Sequence, residues 1–173
     1  SVTVTVEEGH DLSAGAAVRR AEGGGGGRGI FAIHDEAELE DARRNVECGR
    51  VDILQCSEGV FGKGGFEAPE ALLKWLENNK PPYEPVLSHG DYCLPNIFFN
   101  GERVSGFIDL GDCGKGDRYR DIALCIGSLK RNTDGSYGGK VYDGFDPEEL
   151  FSYLGITPDR EKLEYYMLLG ELF

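Results

Sequence analysis

The chain has 173 residues, of which 40% are hydrophobic and 28% charged, and its formal net charge is −13; this is the profile of one ordinary globular domain. The negative charge argues against nucleic acid or an anionic membrane surface as a partner, since both need clustered Lys and Arg. It would attract a polycationic ligand, but composition alone favours the alternative that the acidity only aids solubility. The sequence has no apolar run of ~18 residues and no leader pattern, so we expect a cytoplasmic protein. Its five cysteines form no Cys-x-x-Cys pair, so we expect free thiols.

The first 34 residues differ in composition from the rest of the chain. Val2, Val4 and Val6 alternate with Thr, which predicts a short strand. The five glycines at 23–27 predict a poorly ordered linker, because glycine loses the most backbone entropy on folding. This run lacks the Lys and Ser/Thr of a phosphate-binding loop. We therefore expect an atypical Gly-rich segment at 1–34 and one domain at 35–173.

Two helices are predicted in the next part of the chain. The first begins at Asp35, because Asp35 and Glu38 have the spacing of a capping box, and it ends at Gly49. The second spans about residues 69–78, with Pro69 in its first turn.

A β-hairpin is predicted around Asn100-Gly101, because this dipeptide separates two apolar runs. Downstream, a Gly/Asn/Asp-rich loop at 131–143 separates further apolar patterns. These patterns predict helices at 117 or 118 to 130, at 147–154 and at 158–172. Few strands and several helices predict an α+β fold that is mostly α.

The most informative segment runs from His89-Gly-Asp91 through Asn96 to Asp109. Phosphoryl transfer from ATP needs a carboxylate that orients the acceptor hydroxyl and takes its proton, and hard oxygen ligands for Mg²⁺. Asp91 stands five residues before Asn96, and Asn96 thirteen before Asp109. The predicted hairpin returns Asp109 to the end where Asn96 leaves, so both could hold one cation.

This pattern resembles the protein-kinase catalytic loop, in which His-Arg-Asp is followed by Asn and then Asp-Phe-Gly. With Gly90 in second position and Asp109-Leu-Gly111, it is most similar to the aminoglycoside phosphotransferase family, and within it to the kanamycin and neomycin 3′-phosphotransferases. Asp117-Arg-Tyr-x-Asp-Ile-Ala and the ending Tyr166-x-Leu-Leu-Gly-Glu-Leu-Phe are similar too. The resemblance covers about residues 36–173 and implies the C-terminal lobe of the protein-kinase-like fold, with a short catalytic β-hairpin.

The resemblance also implies an activity and a role for each matching residue. The activity is ATP-dependent phosphorylation of an aminoglycoside hydroxyl, with ATP and Mg²⁺ as cofactors. The implied catalytic residue is Asp91, and the implied magnesium ligands are Asn96 and Asp109. The residues expected to organise the loop are His89 and Asp121. Those expected to contact the drug amines are Glu58, Glu171 and Phe173.

Some of these residues have a simpler interpretation. Asp121 could be an exposed charge at a helix start, and Glu58 a solvated loop acid. Cys93 is interpreted as a tolerated small residue, because this mechanism needs no thiol nucleophile. The apolar and aromatic stripe near the chain end is interpreted as core together with Trp75; its members are Tyr165, Tyr166 and Leu169.

Three positions depart from the family pattern. Asp112 stands where Arg is common after Asp-Leu-Gly, and Gly170 where an acidic residue often precedes the final Glu. Arg131 stands where an acidic drug contact is sometimes found. Because acidic contacts match the amines of the ligand, these departures leave the identity of the antibiotic open.

Kinase-like enzymes take a phosphate-binding lysine from an N-terminal lobe. Residues 1–34 contain no lysine and are too few for that lobe, so we expect it to be missing or replaced. Lost preorganised positive charge lowers the rate of phosphoryl transfer by orders of magnitude. We therefore expect weak or no activity from these 173 residues alone.

Three other hypotheses stay open. The chain could be a non-catalytic module that binds aminoglycosides. It could be a kinase-like enzyme for another small alcohol, such as choline or homoserine. It could also be a gene fragment whose first 34 residues come from unrelated or frame-shifted coding.

Overall fold

The computed structural model describes residues 34–82 and 85–173, without the side chains of 34–36. The strand predicted at residues 2–6 and the glycine run lie outside these ranges. In chain order the described elements are α1 (His34–Glu47), α2 (Pro69–Asn78), β1 (Val86–Ser88), β2 (Ile97–Asn100), β3 (Arg103–Phe107), β4 (Gly114–Gly116), α3 (Arg118–Thr133), α4 (Glu149–Leu154) and α5 (Arg160–Gly170). The predicted α+β, mostly α architecture is confirmed.

The predicted start of helix α1 is wrong, and its predicted end is correct. It begins at His34, so Asp35 lies in its first turn and is not the N-cap residue. At its other end Gly49 has φ +62°, and its N–H donates to the carbonyl of Val46 at 3.0 Å. The N–H of Arg50 donates to the carbonyl of Asn45 at 2.8 Å. This is the Schellman pattern that glycine permits, and it ends the helix as predicted.

Of the remaining helices, one has its predicted bounds and three differ from the prediction at their ends. Helix α2 has the predicted bounds, with Pro69 in its first turn. Helix α3 runs on to Thr133, three residues beyond its predicted end, and shortens the following loop. Helices α4 and α5 each begin two residues later than predicted. In α5 the side chain of Asp159 accepts from the N–H of Lys162 and so caps the start.

The core lies between α2, α3 and α5, where leucine, isoleucine and tyrosine side chains exclude water. Tyr165, Tyr166 and Leu169 are buried, as expected of a core stripe. Trp75 is partly buried against this core. Its ring lies 6.1 Å from Phe66 and 6.4 Å from Tyr165, centroid to centroid. The interpretation of these aromatic residues as core is confirmed.

Strands β2 and β3 form the predicted antiparallel hairpin. Asn100 pairs with Arg103, so the two loop residues are Gly101 and Glu102, one position later than an Asn-Gly turn. Gly101 supplies the positive φ, +63°, that a tight hairpin loop requires. The register shifts between Phe98 and Phe99.

Strand β4 pairs antiparallel with β1, from Val86 opposite Gly116 to Ser88 opposite Gly114. This strand escaped prediction because Gly-Lys-Gly has little preference for extended structure, and pairing with β1 determines its conformation. The two strands bring together the ends of residues 89–113, and α3 begins directly after them. Within the described ranges, none of the helices has the length and apolar character needed to cross a bilayer.

Candidate active site

The loop after β1 depends on a glycine. Gly90 has φ +91°, and a Cβ there would overlap the carbonyl oxygen of Asp112 and lie 2.9 Å from Nη1 of Arg120. Both the backbone conformation and the lack of space therefore exclude a larger residue. This explains why Gly takes the place of the Arg found in the protein-kinase pattern.

Asp121, in the first turn of α3, holds the backbone of this loop. Its Oδ2 accepts from the N–H of His89 at 2.7 Å, and its Oδ1 accepts from the N–H of Gly90 at 3.0 Å. Hydrogen bonds to an ionised carboxylate are stronger than neutral ones. Asp121 thus joins the loop to α3 and is not merely an exposed charge at the helix start.

His89 is 9% exposed, and its ring lies between the loop and the hairpin. The ring centroid is 5.7 Å from that of Tyr92 and 5.9 Å from that of Phe107. Its Nδ1 accepts from the N–H of Asp91 at 3.2 Å, which requires the proton of a neutral ring to be on Nε2. The ring therefore supports the loop from inside.

The Asp91 carboxylate is oriented by its own loop. Nδ2 of Asn96 donates to Oδ2 of Asp91 at 2.8 Å and to its carbonyl oxygen at 2.9 Å. Sγ of Cys93 donates to Oδ1 at 3.1 Å. Asp91 is only partly buried. A carboxylate held at both oxygens and still open to solvent is suited to orienting an incoming hydroxyl.

Asn96 and Asp109 lie at the same end of the hairpin. The carbonyl of Asn96 accepts from the N–H of Ile108 at 3.0 Å. Asp109 directly follows Ile108, so the backbone bond places it at the same end of the hairpin as Asn96. Because Nδ2 of Asn96 serves Asp91, its Oδ1 is the atom left for another ligand. Asp109 is exposed and has φ 58° and ψ 50°; within the described ranges no other non-glycine residue has a positive φ.

The side-chain oxygens of Asn96 and Asp109 fit Mg²⁺ better than they fit a metal ion whose ligands all come from the protein. In the described parts of the chain, no three or more His, Cys, Asp or Glu residues are grouped so as to hold a metal ion. Mg²⁺ is commonly held by one or two carboxylates together with phosphates and water. Asn96 and Asp109 supply oxygen donors of the type that such a partial site uses.

The thiol of Cys93 is not poised for nucleophilic attack. Burial, a hydrogen bond to Asp91 and the charge of Asp91 raise its pKa to about 12. A thiol that stays protonated at neutral pH is a poor nucleophile. This agrees with the interpretation of Cys93 as a loop residue.

An acidic cleft of about 250 Å³ opens beside Asp91, between α1, the loop and the chain end. Its acidic lining residues are Glu38, Asp41, Asp91 and Asp112. The sequence indicates Glu38 only as part of a helix cap and Asp112 only as a departure from the family pattern, and it does not indicate Asp41. The three-residue spacing of Glu38 and Asp41, which puts them on one helix face, was the available signal.

The three predicted drug contacts occupy different places. Phe173 lines the acidic cleft. Oε2 of Glu171 accepts from the N–H of Ser57 at 2.9 Å, so this carboxylate ties the chain end to residues 52–66. Glu58 is exposed on that same stretch and does not line the cleft. A larger cavity of about 480 Å³ lies elsewhere, at the starts of α3 and α5, and contains none of the predicted site residues.

The chain matches the model of the phosphotransferase enzyme family over residues 13–164. An aminoglycoside 3′-phosphotransferase of Enterococcus faecalis is 44% identical over 108 residues, which cover 62% of this chain and 38% of that protein. One of Niallia circulans is 40% identical over 139 residues, which cover 80% and 48% respectively. The chain thus spans less than half the length of these two relatives.

Solved structures give the same result. A crystal structure of an aminoglycoside 3′-phosphotransferase of type VIII matches with a TM-score of 0.61 and 30% identity, over 80% of this chain and 50% of that one. An aminoglycoside phosphotransferase of Streptomyces rimosus, in complex with ADP and streptomycin, matches with a TM-score of 0.61 and 27% identity, over 84% and 54%. The predicted kinase-like fold is confirmed. The chain belongs to the phosphotransferase enzyme family, the family of the aminoglycoside phosphotransferases.

Proposed function

We propose that the chain carries the acceptor-binding and magnesium-binding part of an ATP-dependent aminoglycoside phosphotransferase. One observation carries the proposal: the Asp91 carboxylate, held by Asn96 and Cys93, faces an acidic cleft. A phosphotransferase needs a fixed carboxylate next to the pocket of its acceptor.

In this proposal Asp91 orients the acceptor hydroxyl and takes its proton as the hydroxyl oxygen attacks the γ-phosphorus of ATP. The bond between that phosphorus and the bridging oxygen of the β-phosphate breaks, and ADP leaves. Such positioned proton transfer contributes roughly 10²–10⁴-fold to a rate. His89 and Asp121 keep the loop in place, since both bond to its backbone.

The proposed magnesium ligands are Oδ1 of Asn96 and the carboxylate of Asp109. Both are hard oxygen donors, and the Asn96 amide is already turned so that its nitrogen faces Asp91. Mg²⁺ would neutralise phosphate charge at this end of the hairpin. The cytoplasm, where ATP is abundant, is the proposed location.

A cationic antibiotic suits the acidic cleft. Four carboxylates line it, and the net charge of −13 adds a long-range attraction for polyamines. The relatives named 3′-phosphotransferases favour a kanamycin-like or neomycin-like acceptor. Phe173 would contact the drug within the cleft. Glu58, on residues 52–66, and Glu171, near the chain end, would contact it from beside the cleft.

The direct test incubates the chain with ATP, Mg²⁺ and kanamycin and measures phosphorylated drug by mass spectrometry. We expect Asp91→Asn to lower kcat by ~10²–10⁴-fold. Asp143→Asn, which changes an exposed loop carboxylate, should keep the parent rate. Equal and measurable turnover by the Asp91 variant and its parent would exclude the proposed role of Asp91.

A non-catalytic drug-binding module is the second candidate, because the acidic cleft is formed within this chain. Calorimetry with kanamycin, with and without ATP and Mg²⁺, separates the two. A module binds the drug with an affinity that nucleotide does not change. The proposed enzyme also binds nucleotide in the presence of Mg²⁺, and this binding weakens in Asp109→Asn.

A further inference from the structure

Arg120 connects three parts of the molecule next to Asp91. It lies in the first turn of α3 and is 8% exposed. Its Nε donates to Oε2 of Glu38 on α1 at 2.5 Å, and its Nη1 donates to the carbonyl oxygen of Gly90. Arg120 and Glu38 also line the acidic cleft. Neither residue was singled out from the sequence as part of the site.

The carbonyl that Arg120 binds belongs to the peptide unit that leads into Asp91. The C=O and N–H of a trans peptide are fixed in one plane and point in opposite directions. Here Arg120 holds the C=O of Gly90, and Nδ1 of His89 holds the N–H of Asp91. Rotation of this peptide unit would break both bonds, so its orientation is fixed from two sides.

The charges around Arg120 favour the same geometry. Burial disfavours its positive charge, but Glu38, Asp121 and Asp112 outweigh burial and raise the pKa of Arg120. The side-chain exposures of the pair are 10% for Arg120 and 15% for Glu38. A planar guanidinium with several fixed donors can satisfy a carboxylate and a carbonyl at once.

We propose that Arg120 and Glu38 form a positioning pair that fixes the peptide unit between Gly90 and Asp91 and thereby the direction of the Asp91 carboxylate. Glu38 orients the guanidinium from α1, and the guanidinium orients the loop. The part of this proposal that concerns turnover rests on the proposed function of Asp91. The part that concerns the peptide unit does not.

The experiment measures amide hydrogen exchange by NMR in the full chain, at the N–H of Asp91 and at core amides such as Leu163. We expect Arg120→Met and Glu38→Ala to speed exchange at Asp91 at least tenfold relative to the core amides. Glu38→Gln keeps an acceptor for Nε and should stay within threefold of the parent. Arg43→Met, which removes the exposed α1–α2 ion pair with Glu77, should leave exchange at Asp91 unchanged.

Removing the buried charge of Arg120 beside Glu38 could prevent Arg120→Met from folding. The double variant Glu38→Met/Arg120→Met removes both charges, and it should show the same local acceleration. Unchanged exchange at Asp91 in a folded variant without Arg120 would overturn the proposal. So would a uniform acceleration of all core amides, because that indicates general destabilisation.

Turnover is measured on the same variants. A misplacement of about 1 Å near the reacting atoms can lower a rate ~10²-fold, so Arg120→Met should reduce kcat ~100-fold while KM for ATP stays within threefold. A parent chain that neither binds kanamycin nor transfers phosphate to it would overturn the proposed function, and exchange at Asp91 would still decide the positioning role. A kcat unchanged by Arg120→Met in an active parent would overturn the positioning role.

Discussion

The proposed catalytic loop, residues 89–96, and the rim segment, residues 52–66 beside the chain end, are held in different ways. Side chains of α3 bind the backbone of the catalytic loop directly, through Asp121, Arg120 and Ser128. The rim is closed mainly by its own backbone turns, and the carboxylate of Glu171 joins it to the chain end. The difference indicates that the first region is positioned by side chains of a neighbouring helix, whereas the second depends on local turns and its bond to the chain end.

The largest effect should come from Asp121→Ala, which removes the carboxylate that anchors the loop to α3. The change leaves the N–H groups of His89 and Gly90 without their charged acceptor. At ~1.5–3 kcal/mol for each bond to a charged group, we expect a loss of about 4 kcal/mol in the free energy of unfolding, measured with urea. Asp143→Ala is the control, with no expected change. A loss under 1 kcal/mol at Asp121 would contradict the anchoring role.

Gly90→Ala should have the next largest effect. A new Cβ would have to displace the carbonyl of Asp112 at a φ that disfavours side chains, so we expect a loss of about 3 kcal/mol. Gly101→Ala is the matched control, since Gly101 also has a positive φ but open space around it. It should lose about 1 kcal/mol. Equal losses at the two glycines would show that steric overlap at Gly90 contributes nothing.

Glu171→Ala tests how residues 52–66 are held. The substitution removes the hydrogen bond from the N–H of Ser57 to the Glu171 carboxylate, so we expect the free energy of unfolding to fall by about 1 kcal/mol and amide exchange at Ser57 to be faster. Glu58→Ala changes a neighbouring exposed acid and should affect neither quantity. If exchange at Ser57 stays at the parent rate, another contact holds the rim.

Cysteine alkylation tests the anchored loop with the smallest perturbation, and Cys48 outside both regions is the reference thiol. The pKa of Cys93 is raised to about 12, so its thiol stays protonated at pH 8 and at pH 10. Exposed Cys48 should be modified by iodoacetamide at pH 8 well before Cys93, as followed by peptide mass spectrometry. Modification of Cys93 as fast as Cys48 would contradict its burial and its bond to Asp91.

The sequence indicates candidate site residues where the proposed chemistry permits few residue types. Asp91, Asn96 and Asp109 stand out because the proposed proton transfer and Mg²⁺ binding need particular oxygen donors at a fixed spacing, and their roles stay predictions. The hairpin is recognisable because Asn100-Gly101 favours a tight turn.

Other features depend on segments that meet only in the folded chain. The pair of Glu38 and Arg120 joins residues 82 positions apart, and neither residue alone indicates the other. Strand β4 exists because β1 is beside it. The acidic cleft likewise combines α1, the catalytic loop and Asp112, which no local pattern could reveal.

The pairing of β1 with β4 has a consequence for the order of folding. This strand pairing closes residues 89–113 into a loop of moderate length. Closing a loop of this length costs less chain entropy than closing a longer loop. Asp91, Asn96 and Asp109 all lie inside it, and Asp121 follows shortly after. Contacts of low sequence separation form early, so this segment can assemble as a unit before distant α1 arrives. The contact of Glu38 with Arg120 would then be among the last to form, completing a site that is already folded.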